Sequence, residues 1–307
     1  MAAPSTSKFR SSPIRAGAVS RTGRGVLLAL VALGAAGNAS ADDLSISIQS
    51  RSLRQGEAIL VSVTAPAQIT GITINVFGSV WAALRANDTT WRALIGIDLD
   101  QKPGAYTLVA ASAAPHALQA TREIVVAARQ FRQRVLKVAP GYVNPPPDLL
   151  ARIRSEAEFM SEVYKHSSLE PQWQQGLIRP VNEPANSSFG TRSVFNGEPR
   201  SPHAGTDFLS GAGTPIRAPA GGQVVAAREL YFTGNTVIID HGLGVFSMLA
   251  HLSRIDVQEG QTIDSGALVG LVGATGRVTG PHLHWALRTG PARVDPLSAL
   301  ALFQGKR

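Results

Sequence analysis

The sequence has no cysteine in its 307 residues. This excludes disulfides and thiol chemistry, and any metal site must be built from histidine and carboxylates. It also removes the acceptor for a lipid at a cleavage site. Aromatic residues are scarce, at 6%. Long apolar runs are missing too. The longest stretch of that kind, Gly25 to Gly37, falls short of the roughly 20 residues a membrane helix needs. The first 41 residues contain no acid and no adjacent arginine pair.

What those residues do contain is a basic leader (Lys8, Arg10, Arg15, Arg21, Arg24), the short apolar run, and the small-residue sequence Ala39-Ser40-Ala41 before Asp42-Asp43. The pattern predicts a secretory signal peptide over residues 1–41, on the general secretion route, with no stable membrane anchor after cleavage. Removing the leader takes the formal net charge from +8 to about +3. A nucleic-acid partner is therefore not implied, although a mildly basic exported protein would be drawn to an anionic polymer.

The apolar fraction, 44%, suffices for packed cores, and 30 glycines and 19 prolines suit short strands joined by turns. Over residues 42–128, alternating segments such as Leu44 to Ile48, Ala58 to Val63, Ile69 to Phe77, Trp91 to Ile97, Tyr106 to Ala110 and Arg122 to Ala127 predict a small β-sandwich of immunoglobulin type. It reads as a binding or covering module. Asp98 and Asp100, at a strand end, are expected to be solvated. His116 is assigned no role. Residues 129–178 form a linker with one helix from Leu149 to Tyr164, for which Asp148 is the expected N-cap. Glu156, Glu158 and Glu162 are expected on a solvated face, and His166 at the surface. The linker could also lie across a groove and keep it latent.

Residues 179–307 carry the chemistry. His203 and Asp207 stand four apart around Gly205, in a loop entering a strand. His282 and His284 flank Leu283 in a strand, so the two imidazoles share a face. His251 lies in a separate strand. A catalytic zinc needs three His or carboxylate ligands and an open fourth position. His203, Asp207 and one of the paired histidines supply such a set, and the other paired histidine and His251 remain to move protons.

These pieces, together with Gly280-Pro281 before the pair, Ala218-Pro-Ala-Gly-Gly222, Asp240-His241-Gly242, Gly273-Ala-Thr-Gly276 and Val294-Asp295-Pro296, resemble the lysostaphin-type (LytM-like) zinc metallopeptidases that cut peptidoglycan peptides. The resemblance covers about Ser187 to Pro296. It implies a mainly β fold with an antiparallel-sheet domain and a long groove, and one zinc ion bound by His203, Asp207 and His284. It implies His251 and His282 as the catalytic pair, and peptidoglycan as substrate, with other cell-wall enzymes as candidate partners. It is compatible with a periplasmic, soluble location. His241 reads as structural. Leu249 stands where members often have an aromatic residue, and is expected to adjust the groove wall. Some relatives have lost ligands and act as binding proteins that switch on a cell-wall amidase. All five positions are intact here, which favours the endopeptidase over that alternative. A purely structural zinc fits poorly, because such sites are closed by four protein ligands.

Overall fold

The computed structural model describes residues 43–115, 117–138, 145–186 and 188–304. The predicted leader, His116 and Ser187 lie outside the described residues. The chain is mainly β, as its composition implied. Among the described residues no helix is long and apolar enough to cross a membrane.

The first body is a sandwich of two four-stranded antiparallel sheets. One contains β1 (Ser45–Ser50), β2 (Ala58–Thr64), β6 (Thr90–Gly96) and β5 (Leu84–Arg85), in that order. The other runs β4 (Ser79–Ala82), β3 (Ile72–Val76), β7 (Gly104–Ser112), β8 (Gln119–Val126). The alternation in the sequence becomes alternation in burial: Ile72, Ile74 and Val76 point inward, while Thr73 and Asn75 are exposed. Beyond the sandwich, β9 (Gln133–Leu136) pairs in parallel with β10 (Arg192–Phe195), and β10 pairs with β11 (Glu198–Pro199). No local pattern announces this small sheet, because its pairing is long-range.

The linker helix α1 (Leu150–Val163) follows a single 3-10 turn at Pro147–Leu149. Asp148 falls inside that turn, and no side chain caps the helix, so the expected N-cap is not made.

The second body is a nine-stranded sheet. Its main path is β12 (Gly205–Phe208), β19 (Leu283–Thr289), β16 (Val245–Ile255), β15 (Gly234–Asp240), β14 (Gly222–Leu230) and β17 (Thr262–Ile263). β13 (Pro215–Arg217) joins through β18 (Leu268–Val272), and β20 (Ala292–Val294) pairs with β19. Helix α2 (Pro296–Phe303) closes the chain, with the Asp295 carboxylate accepting from the Leu297 amide at 3.0 Å as its N-cap. One sheet face is packed: Trp285, Leu287, Leu249, Val237 and Ile239 are fully buried there. Leu249 sits opposite Trp285 in the register, so it belongs to this core and not to a groove wall. The other face carries Ala250, Met248 and Phe246 on β16 opposite His284, Ala286 and Arg288 on β19.

The two bodies are joined by buried charge. Arg51 reaches Glu57 at 2.6 Å and Asp295 at 2.8 Å, and Arg129 lies 3.3 Å from Glu57. Asp98, expected in solvent, is half-buried and holds Arg293 at 2.8 Å, while Asp100 is exposed as expected and bonds Arg293 at 2.9 Å and Arg192 at 2.6 Å. Burial opposes ionisation of Asp98, but its hydrogen bonds to Arg293 prevail and hold its carboxyl below the usual range. The close approach extends to the backbone. A Cβ on Gly96 would stand 2.6 Å from Ala292 and 2.7 Å from Val294 of the second body.

Candidate metal centre

The site is assembled where the edge strand β12 meets β19. Asp207 stands opposite His284 in that antiparallel pair, and His203 enters two residues before β12. Gly205 lets the strands close. A Cβ there would fall 2.6 Å from the His284 ring, so any larger residue would push the imidazole away.

Three ligand-type atoms then converge. His203 Nε2 lies 3.0 Å from Asp207 Oδ1 and 3.0 Å from His284 Nδ1, and His284 Nδ1 lies 2.9 Å from Asp207 Oδ1. Straight hydrogen bonds cannot serve all three sides of so small a triangle. A shared ion at the roughly 2.0–2.1 Å of Zn–N and Zn–O bonds can. The residues present therefore fit a zinc ion. Among the described residues they form the group of three His and carboxylate side chains able to share a metal.

The remaining histidines are oriented by backbone carbonyls, which can only accept. His251 Nδ1–H donates to Thr275 O at 3.0 Å, His282 Nδ1–H to Gly280 O at 2.9 Å and His203 Nδ1–H to Ser188 O at 3.2 Å. In each ring this places a proton on Nδ1 and points Nε2 away from the carbonyl. The rings of His251 and His282 lie 4.8 Å apart between centroids, and His251 lies 5.9 Å from His284. His282 Nε2 is 3.8 Å from Asp207 Oδ1. To present its ring, His251 adopts φ +67°, at a break in strand register between β15 and β16. Left-handed backbone at a non-glycine residue is a local cost that tends to mark functional positions.

Electrostatics reinforce the arrangement. Burial opposes ionisation of Asp207, but hydrogen bonds and charge from His203 and His284 outweigh it and hold the carboxyl far below the usual range. Burial, aided by His284, pushes His251 down to about 4, so it is a neutral base at neutral pH. Burial likewise lowers His284, with Asp207 opposing.

All five residues singled out from the sequence thus gather at one end of the open sheet face. His241 does not join them. It is fully buried, donating from Nδ1 to Gly221 O at 2.7 Å and accepting at Nε2 from Ser247 at 2.9 Å. His166 is exposed. Sequence reasoning missed Ser188, whose hydroxyl donates to Asp207 Oδ2 at 3.1 Å and leaves Oδ1 for the cluster. A serine in a loop 19 residues before its partner carries no pattern that would announce this. Chemically, the arrangement offers a three-ligand metal position beside two imidazole bases, which suits water activation.

Comparison with known proteins agrees with this chemistry. Residues 201–296 match the model of peptidase family M23. The peptidoglycan DD-endopeptidase ShyA of Vibrio cholerae serotype O1 is 47% identical over 103 residues, which cover 33% of this chain and 24% of that protein. The DD-carboxypeptidase/endopeptidase Mpg of Neisseria meningitidis serogroup B is 42% identical over 96 residues, covering 31% of this chain and 22% of that one. The chain thus matches about a quarter of the length of these curated relatives. A crystal structure from Pseudomonas aeruginosa, described as a peptidase M23, shares 33% identity over 83% of this chain and 96% of its own, with a TM-score of 0.64. That likeness extends well beyond the residues matched by the family model.

Proposed function

Because the chain belongs to peptidase family M23, we propose that it is a zinc-dependent endopeptidase that hydrolyses amide bonds in the peptide stems or cross-links of peptidoglycan during cell-wall remodelling. The observation that carries this reading is the triangle of His203, Asp207 and His284 atoms, 2.9–3.0 Å on each side, beside two imidazoles with free Nε2 atoms. The names of the curated relatives support the substrate class.

His203, Asp207 and His284 would hold a zinc ion. A zinc ion there supplies a Lewis acid that activates water and polarises the scissile carbonyl. His251 and His282 do the proton work from Nε2: one accepts the proton of the attacking water and hands it on to the leaving amine, while the other, when protonated at Nε2, donates to the developing oxyanion. Their Nδ1 bonds to Thr275 and Gly280 keep both rings aimed. Ser188 restrains Asp207. The leader over residues 1–41 directs the protein to the periplasm, the sandwich spans about 42–128, the linker 129–178 and the peptidase domain 179–307.

The test is digestion of purified peptidoglycan with and without chelator, products read by mass. New amines from cleaved peptides, lost on chelation and restored by zinc, are expected. A protein that only activates an amidase would release no such products on its own. His203→Ala and Asp207→Ala should lose bound zinc, measured as metal per chain, along with turnover. His251→Ala and His282→Ala should keep the metal and lose roughly 10²–10⁴ in kcat. Zinc retained in full by both ligand variants would refute the ligand set.

A further inference from the structure

The sheet face that carries the metal group is not open along its whole length. Its far end is covered by α1 and the residues just after it. Phe159, Met160, Val163 and Tyr164 pack on Ala226, Ile238 and Phe246, and the Tyr164 ring stands edge-on to Phe246 at 5.3 Å. Glu156 accepts from the Tyr231 amide at 2.7 Å, and Asp240 accepts from Ser167 at 2.6 Å and from the Ser168 amide at 2.7 Å. The segment is thus bonded at the middle of the helix and again just past its C-terminal end. It is a fixed wall beside the floor, not a cover over the metal group.

One side chain at this wall has no counter-charge. Arg288 lies on β19, on the same face as His284 and two side-chain steps along it, with Ala286 between. Four residues of strand place it about 13 Å from the metal group. Its guanidinium lies 4.4 Å from the centre of the Tyr164 ring. Elsewhere in the second body, Arg228, Arg254 and Arg293 each meet a carboxylate. Among the described residues no carboxylate stands within 4.0 Å of Arg288. Asp240, two strands across on the same face, already accepts from Ser167, Ser168 and Gly242. The guanidinium sits over the Tyr164 ring and also hydrogen-bonds the Tyr164 side chain; with five N–H donors it retains others for a carboxylate.

We propose that Arg288, braced by Tyr164, is a carboxylate subsite that anchors an acidic group of the peptide substrate at the α1 end of the floor. The proposal rests on the endopeptidase reading above. Extended peptide advances about 3.3 Å per residue, and an arginine side chain reaches several ångströms, so the anchored carboxylate lies roughly two to four residues from the scissile bond. Stem peptides with free carboxylates meet this requirement, and amidated stems do not.

The experiment compares cross-linked peptide dimers with free and with amidated stem carboxylates, using the zinc-loaded protein and its Arg288→Gln and Arg288→Lys variants. For the free acid, Arg288→Gln is expected to raise KM five- to tenfold with kcat little changed, and Arg288→Lys to fall between. For the amidated dimer, wild type should already show the raised KM, and Arg288→Gln should add nothing. Equal losses on both substrates would overturn the subsite and leave a packing role. Equal KM values for the two substrates in wild type would also overturn it. If wild type cleaves neither dimer, the endopeptidase reading fails, and calorimetric binding of the free and amidated stem tetrapeptides decides the subsite alone. A five- to tenfold preference for the free acid, abolished in Arg288→Gln, would support it, and no preference would overturn it.

Discussion

Two histidines illustrate what residue identity does and does not announce. His241 sits in a chain of three bonds: Trp285 Nε1–H donates to Ser247, Ser247 donates to His241, and His241 donates to Gly221 O. Burial pushes its pKa down to about 4, against about 6.5 unfolded. Between those values the unfolded chain takes up a proton that the folded chain refuses. The contribution is therefore complete above pH 6.5 and is lost as pH falls to 4, by about 3 kcal/mol. Urea unfolding of His241→Gln should show a flatter pH dependence across this window than wild type; equal slopes would refute the assignment. His251 is costly in a different way, since its backbone is left-handed at φ +67°. Alanine normally outperforms glycine in a strand, but here His251→Gly should be more stable than His251→Ala by about 1 kcal/mol. Thermal melts of the two variants measure this directly. The five site residues were legible because spacing and type survive in a linear sequence. Ser188 and the carbonyls of Thr275 and Gly280 were not, because backbone acceptors have no sequence signature.

At the scale of elements, strands were easier to read than their partners. Alternation located β1 to β3 and β6 to β8, but β9 and β10 pair in parallel across more than fifty residues of chain, and nothing local encodes that. Helix α1 was foreseen from its periodicity, while its role was not. Glu156, expected on a solvated face, turns inward to the Tyr231 amide. The short helix α2 shows how much one residue can hold. Asp295 caps it, takes the Arg51 ion pair at 2.8 Å and lies 3.3 Å from the Thr206 hydroxyl, next to Asp207. Asp295→Ala removes the cap and one of the two carboxylates that hold Arg51, Glu57 remaining, for an expected loss of about 1–3 kcal/mol, seen as a lower urea midpoint.

At the scale of the whole molecule, the sandwich is not a loosely tethered module. The Asp98–Arg293 pair is bidentate, and the Ala58 amide donates to Ser298 at 2.8 Å across the seam. The sequence concealed this, because Asp98 and Asp100 look like ordinary surface acids until their arginines arrive from nearly two hundred residues away. Cutting the chain to residues 179–307 should therefore leave Arg293 and Asp295 without their ion-pair partners and lower the melting temperature by several degrees or more, as scanning calorimetry would record. An unchanged melting temperature would mean the seam contributes nothing. The seam also has a kinetic meaning. Gln49 in the first strand bonds the carbonyl of Leu302, 253 residues later. Contacts of that span close only after the last helix is available, so folding must be slow and must wait until the C-terminal end has been delivered. A chain delivered N-terminus first would thus hold its sandwich without its seam until the last helix arrives, and would bring His203, Asp207 and His284 together only near the end of delivery.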